Sequence, residues 1–381
     1  MKKIILIHVI PLIPRLRDAY LINDFIAAGY KILYFDISKI FTSNKSFDDE
    51  LNETYVRKFN SYDKFTDSIK KCNKSNTVFI LPFDKSKKYS KIFVFLKSND
   101  YYLVRINIYP MGVWNVNIIK NLSWLLFSYS FLNMIFKNFF KLVLQLFDRS
   151  NRTEIFDNYF SCSLPCTNFI NNPDFEKFIK IKNEKDKIIN RGYLLFLDSY
   201  FPLHPECFNQ TKKSNIHAIN YYKRMRDFFD YLENRFEKPV IIAAHPSSSY
   251  TRGEFGDRQI IKNKTLSLVK DADIILQHGT LSHIFALLFD KPLVFIITNQ
   301  MRYYEEMFAD YKIRNLAAVL GKKAYNIDKT NYDKIEFTKV EKKIREKYIY
   351  SQLTTKETEN ITNKEIILTE FERIFRGLQT N

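Results

Sequence analysis

Short apolar runs rich in β-branched residues recur along this chain, each closed by a turn and followed by a polar stretch with helical spacing. The first is KIILIHVI at residues 3–10; a helix-patterned stretch at 18–28 follows, then Gly29 and the run KILYFDI at 31–37. Strands apolar throughout must be covered on both faces, and strands joined through helices run parallel, so this reads as a βαβ unit. NTVFIL at 76–81 and YYLVRI at 101–106 continue the same sheet. The alternation then begins again, with strands expected at 193–197, 240–244, 273–276 and 293–297 and helices at 220–236 and 281–289. A chain of 381 residues suits two cores better than one. The expected fold class is therefore α/β, with two Rossmann-like domains at 1–175 and 190–381, parted by the charged stretch NNPDFEKFIKIKNEKDKIIN at 171–190. Helical patterns at 340–349 and 363–375 are grouped with the second domain, a return to the first being the alternative.

Residues 121–147 are the most apolar segment, but Lys137 and Lys141 interrupt it before the roughly 20 apolar residues of a membrane span accumulate. Its aromatics and flanking lysines suit a helix lying at the inner-membrane surface, or one packed between domains. The opening MKKIILIHVIPLIPRLRDAY imitates a signal peptide but carries Pro11 and Pro14 and no small-residue cleavage site. It reads as a buried first strand of a cytoplasmic protein. Cys72, Cys162, Cys166 and Cys207 show no CxxC pairing, which fits ordinary thiols in a reducing compartment.

The formal net charge of +17 raises the question of an anionic partner. The charge and the abundant tyrosine and phenylalanine motivate a nucleic-acid-binding protein as a rival reading, which no binding motif supports. The aromatics sit inside the apolar runs, where core packing accounts for them, and no Lys/Arg block exceeds an ordinary solvated helix face.

Ligands of open parallel sheets bind beyond the carboxyl ends of the strands, so the polar residues that follow the apolar runs are the candidates. Three such places fall in the second domain: Asp198-Ser199-Tyr200, His245-Pro246-Ser247-Ser248, and His278-Gly279-Thr280-Leu281-Ser282. Gly279 permits a tight turn, and Thr280 or Ser282 can cap the next helix, whose first amides would face a phosphate. A histidine at a strand end, fixed by the following proline, offers a donor to a phosphate or a leaving group, which points to His245. Tyr200 is expected to pack or to stack on a base. Arg252, Arg258, Lys264 and Thr265 lie between the two main motifs and are candidate contacts for a phosphate, a sugar carboxylate or a base. His204 also precedes a proline but ranks below His245. Metal chemistry is not expected: His245, His278 and His283 lack HExxH spacing and no DxD pair accompanies them.

The stretches AAHPSS at 243–248 and NKTLSLVKDADIILQHGTLSHIFALLFDKPLVFI at 263–296 resemble the donor half of GT-B-fold glycosyltransferases of bacterial surface-polysaccharide synthesis, the sialyltransferases and Kdo transferases most of all. In the sialyltransferases an HP motif and a later Ser-Ser/Thr motif hold the phosphate and ribose of a CMP-sugar. His245-Pro246 matches the first; Thr280 and Ser282 approximate the second, with Leu281 between the two hydroxyls. The resemblance covers 193–298. It implies two Rossmann-like domains facing a cleft, a nucleotide-sugar donor (CMP-linked by preference) in the second, and a glycan or lipid-linked glycan acceptor in the first. It also implies transfer without a bound cofactor or metal. An inverting transfer then needs a carboxylate base, for which Asp198, Asp18 and Asp24 are the candidates. UDP-N-acetylglucosamine 2-epimerases share the architecture and form the alternative enzyme reading; an inactive scaffold is the alternative from another class.

Overall fold

A computed structural model describes residues 1–41, 49–83, 86–107, 155–162, 166–204, 218–250, 253–303 and 310–380. The apolar segment 121–147, Arg252 and Cys207 lie outside the described residues. Residue contacts divide the chain into two units.

The first unit is built on strands β1 (Lys3–His8), β2 (Lys31–Asp36), β3 (Val56–Lys58), β4 (Thr77–Ile80), β5 (Tyr102–Asn107), β6 (Asn158–Ser161) and β7 (Asn168–Phe169). They form one sheet in the order β3-β2-β1-β4-β5-β6-β7 with every pairing parallel. Alternate residues of a strand point to opposite faces. Accordingly Ile4, Leu6, Ile32, Tyr34, Val78 and Ile80 enter one core and Ile5, Ile7, Phe35, Phe79 and Leu81 another. The helical stretch expected at 18–28 is two short helices, Pro14–Ala19 and Ile22–Ala27, broken where Leu21 takes a left-handed φ of 52°.

The helix Asn363–Thr380 closes the first unit, contrary to its grouping with the second domain. Ile367, Phe371, Ile374 and Phe375 line one side of it and join the core of Ile4, Phe25 and Tyr34. Polar groups fix the return of the chain. The Asn363 carboxamide exchanges two 2.7 Å bonds with the Asn171 backbone, and the Asn171 side chain donates to the carbonyls of Thr358 and Ile361. Thr362 and Glu365 form a reciprocal capping box at the helix start. Sequence periodicity shows that this helix has an apolar stripe but not which sheet the stripe covers.

The second unit, Asp174–Ser351, carries strands β8 (Leu194–Leu197), β9 (Val240–Ala244), β10 (Ile260–Lys262), β11 (Ile274–Gln277), β12 (Leu293–Ile297) and β13 (Ala324–Asn326). Their order is β10-β9-β8-β11-β12-β13, again all parallel. Numbered within each unit, both sheets contain the Rossmann order 3-2-1-4-5-6, the first extended by a seventh strand, and the order reverses direction between the first and fourth strands. Two such units in one chain, with the last helix returning to the first, make a GT-B-like fold. The reversal opens a crevice at the carboxyl ends of β1 and β4 in one unit and of β8 and β11 in the other. The core of the second unit packs these strands against the helix Ala218–Phe236, through Tyr221, Met225, Phe228, Phe229 and Leu232. Among the described residues no helix is long and apolar enough to cross a membrane.

Candidate functional site

Register places the sequence candidates of the second unit side by side. Leu197 pairs with Gln277 on one side and Ala243 on the other, so Asp198, His278 and the Ala244-His245 step all emerge at the same edge of the sheet, around the reversal point.

Asp198 is 5% exposed and fully engaged. One carboxylate oxygen accepts from the Tyr200 amide at 2.8 Å; the other accepts from the His245 amide at 3.2 Å and the Tyr250 hydroxyl at 2.6 Å. Burial lifts its pKa to about 6, against the opposing pull of the Tyr250 hydrogen bond and the backbone amides. With both oxygens committed to protein donors, this carboxylate ties the β8 loop to the β9 loop. That arrangement is a clamp.

The clamp aims His245. The imidazole Nδ1 accepts from the Ser247 amide at 3.2 Å, so in the neutral ring the proton resides on Nε2 and can be donated. Burial, then the neighbouring His204 and Lys262, lower the His245 pKa. The His204 ring stands edge-on at 5.2 Å. Lys262, the last residue of β10, donates to the Ser248 carbonyl at 2.5 Å, and the Ser248 hydroxyl donates to the His245 carbonyl at 2.7 Å. A neutral N–H donor with a lysine ammonium beside it suits an anion. Pro246 and Ser247 are exposed and Ser248 is buried beneath them.

His278 has a different role from the one expected. It is 1% exposed; its Nδ1 meets the Ile296 carbonyl at 2.7 Å and its Nε2 the Tyr221 hydroxyl at 2.7 Å. The carbonyl can only accept, so Nδ1 carries the proton and Nε2 accepts from tyrosine. Burial holds the ring near a pKa of about 4. Neither nitrogen is left for a ligand. Gly279 does make the tight turn, at φ +83°, and a Cβ there would stand 3.0 Å from Ile313. The phosphate-binding helix start expected after it is absent in that form: the helix His283–Leu288 has six residues and Ser282 makes no capping bond. The Thr280 hydroxyl is buried without a partner among the described residues, as are both amide atoms of Gln277 at the end of β11.

The remaining candidates scatter. Tyr200, also left-handed at φ 59°, packs edge-on against Tyr250 at 5.3 Å. Arg258 is consumed by Asp230 and Glu233 and lies over the Phe229 ring. Lys264 and Thr265 begin the seven-residue helix Thr265–Asp271 beyond the edge strand β10. In the first unit Asp18 is surface-exposed beside Arg17 and Asp24 pairs with Lys364 at 2.7 Å, so neither is presented at the end of β1. His8 is. It is 7% exposed, accepts from the Ile10 amide at 3.0 Å through Nδ1, and stacks on Tyr34 at 6.1 Å. Burial depresses its pKa to about 4.

Tyr250, Lys262 and His8 are the residues that sequence reasoning passed over. Only His8 left a signal, as the one polar residue within IILIHVI at 4–10. Among the described residues no group of three or more His, Cys, Asp or Glu could hold a metal ion.

No family model and no curated protein matches the chain. Among solved structures it is similar to the UDP-GlcNAc 2-epimerase from Methanocaldococcus jannaschii, at 12% identity and a TM-score of 0.43 over 100% of both chains. It is similar also to CalG4, the calicheamicin glycosyltransferase, at 11% identity and a TM-score of 0.43 over 99% of this chain and 98% of that one. A third similarity is to spinosyn forosaminyltransferase SpnP, at 11% identity and 0.42 over 99% of both chains.

Proposed function

We propose that this protein is a nucleotide-sugar-dependent glycosyltransferase that holds its donor in the second unit, at the carboxyl ends of β8, β9 and β11. The observation that carries this reading is the setting of His245. Its backbone amide is anchored on buried Asp198 and its Nδ1 on the Ser247 amide, which presents Nε2–H as a fixed donor beside Lys262. In glycosyl transfer an acceptor hydroxyl attacks the anomeric carbon and gives up its proton to water, the bond from that carbon to the phosphate oxygen breaks, and its electron pair passes to the phosphate. A preorganised donor at that oxygen stabilises the charge where it develops. Asp198 serves here as a positioning residue. The acceptor, a glycan or a lipid-linked glycan, is assigned to the first unit at the end of β1, where neutral His8 would orient a hydroxyl.

The first experiment is a thermal-shift panel of CMP, CDP, UDP, GDP and ADP, followed by nucleotide release from the matching sugar nucleotide with and without acceptor. A ligand that binds only the folded state raises its melting temperature. The resemblance around His245-Pro246 makes CMP the first nucleotide to respond. Binding of a nucleotide together with acceptor-dependent release supports transfer. Interconversion of UDP-sugar epimers without acceptor would replace transfer by epimerisation, and no response to any nucleotide would end the reading. His245→Ala should lower turnover by about 10²- to 10³-fold, the usual cost of one such donor, with the melting temperature retained.

A further inference from the structure

Outside the His245 cluster, the second unit contains a pocket of about 340 Å³ between the helix Ala218–Phe236 and the segments that follow β12 and β13. That volume falls at the small end of the range for small-molecule sites, about 300–1,000 Å³. Asn220, Lys223, Arg224 and Asp227 line it from the helix at i, i+3, i+4 and i+7 spacing, opposite Thr298 and Asp328.

The wall is built in advance of any ligand. Asp328 accepts from Arg224 Nε at 2.9 Å and from the Asn299 amide at 2.7 Å, while its own amide donates to Asn326 Oδ1 at 3.0 Å. Asn326 in turn donates to Asn299 Oδ1 at 2.9 Å. Thr298, which faces this pocket, is 2% exposed and its hydroxyl has no partner among the described residues. A buried hydroxyl left unmatched is costly, and a valine would fill the same space without that cost.

We propose that this pocket binds an uncharged, hydroxyl-rich ring, an aldose or its N-acetylated form, as the sugar of the donor. The chemistry follows from the lining. Two cations and two carboxylates balance, with Lys223 3.4 Å from Asp227 and Arg224 on Asp328, so a carboxylated sugar gains no net attraction. Carboxylate, amide and hydroxyl groups on opposite walls supply both donors and acceptors to a ring of hydroxyls. Among the described residues the lining holds one aromatic, Tyr221, which is bonded to His278, and none of them adds a second aromatic face to make a slot for a base. Tyr221, which lines the pocket, is bonded to His278 at the end of β11, so the pocket lies at the same carboxyl edge of the sheet as His245, with β8 and β11 between β9 and β12. The proposal rests on the nucleotide-sugar reading, and it moves the donor from the sialic-acid-like sugar that the sequence suggested to a neutral one.

The test is ligand-observed NMR of the full chain with glucose and N-acetylglucosamine against N-acetylneuraminate, for the wild type, Thr298→Val and Asp227→Asn. The expected result is binding of a neutral sugar at millimolar concentration, weakened at least tenfold in both variants, with N-acetylneuraminate weaker throughout. Thr298→Val should keep or raise the melting temperature, so weakened binding there cannot be charged to unfolding. Preference for N-acetylneuraminate, or neutral-sugar binding indifferent to both substitutions, overturns the proposal. Nucleotide binding is measured in parallel. Sugar binding sensitive to the two variants without any nucleotide response upholds the pocket and ends the transferase reading; nucleotide binding with variant-insensitive sugars ends the pocket alone.

Discussion

The Tyr250 hydroxyl donates to the Asp198 carboxylate at 2.6 Å, across 52 residues of chain, on the same oxygen that receives the His245 amide. One buried carboxylate thereby joins the loops after β8 and β9 and sets the direction of the His245 ring. Tyr250→Phe removes the strongest stabiliser of the charged form, so the Asp198 pKa should climb further above 6, which a carboxyl NMR titration would register. Asp198→Ala leaves three donors unmatched and should cost about 3 kcal/mol in urea unfolding, with turnover lost alongside. A wild-type stability in Asp198→Ala would mean that the clamp does not form.

The turn at Gly279 depends on the absence of a side chain. At φ +83°, with Ile313 Cγ1 3.0 Å from where a Cβ would stand, Gly279→Ala combines an unfavourable backbone region with a contact that must give. About 1–2 kcal/mol of stability should be lost. Because the crowding atom is a γ carbon, Ile313→Ala is the relieving partner: in a double-mutant cycle with Gly279→Ala the two losses should sum to more than the double variant loses, and strict additivity would assign the whole effect to the backbone.

The helix Asn363–Thr380 belongs to the first core through Phe371, which meets Phe25 at 4.8 Å and Phe160 at 6.0 Å between ring centroids. Phe371→Ala should destabilise the first unit by about 3–5 kcal/mol. Hydrogen exchange should then quicken at Ile4 and Leu6 while Leu194 to Leu197 stay protected. Equal loss of protection in both sheets would contradict the contact pattern.

Acid should weaken the fold through its buried histidines. His8, His278 and His283 are each held at about 4 by burial, below the ordinary 6.5. The unfolded chain therefore binds their protons first, and stability present above pH 6.5 is lost as pH falls toward 4. Asp198 acts oppositely: its pKa rises from 3.8 to about 6, so its burial costs stability above pH 6 and that cost is relieved on acidification. Each shift is worth on the order of 3 kcal/mol, and three outweigh one. Urea midpoints should fall between pH 6.5 and 4.5, with a shallower slope in His278→Gln; a flat profile would refute the burial of these rings.

Much of the architecture was legible in the linear chain because a fully buried parallel strand has to be apolar along its whole length. Every strand read from an apolar run is present, with ends shifted by a residue or two at most sites. The strands that went unread, β3, β6, β7, β10 and β13, are short, and several lie at sheet edges where one side needs no apolar cover. Strand-end logic also brought Asp198, His245 and His278 to one edge of the second sheet, since they follow β8, β9 and β11 whatever their partners.

What the tertiary structure alone decided was the use of each group. His278 and His245 look equivalent as histidines after apolar strands. One spends both nitrogens inside the core and the other keeps a donor, because Tyr221 and the Ile296 carbonyl reach the first while, among the described residues, Ser247 alone bonds the ring of the second. Tyr250, Thr298 and Asp328 carry no local pattern, and their significance comes from partners brought near by the order of the strands. The sequence determined which segments must be buried, since burial follows from composition and period. The partner of each polar atom was decided by the crossing of distant segments, and hydrogen-bond partnership decides whether a side chain holds the fold together or remains available to a ligand.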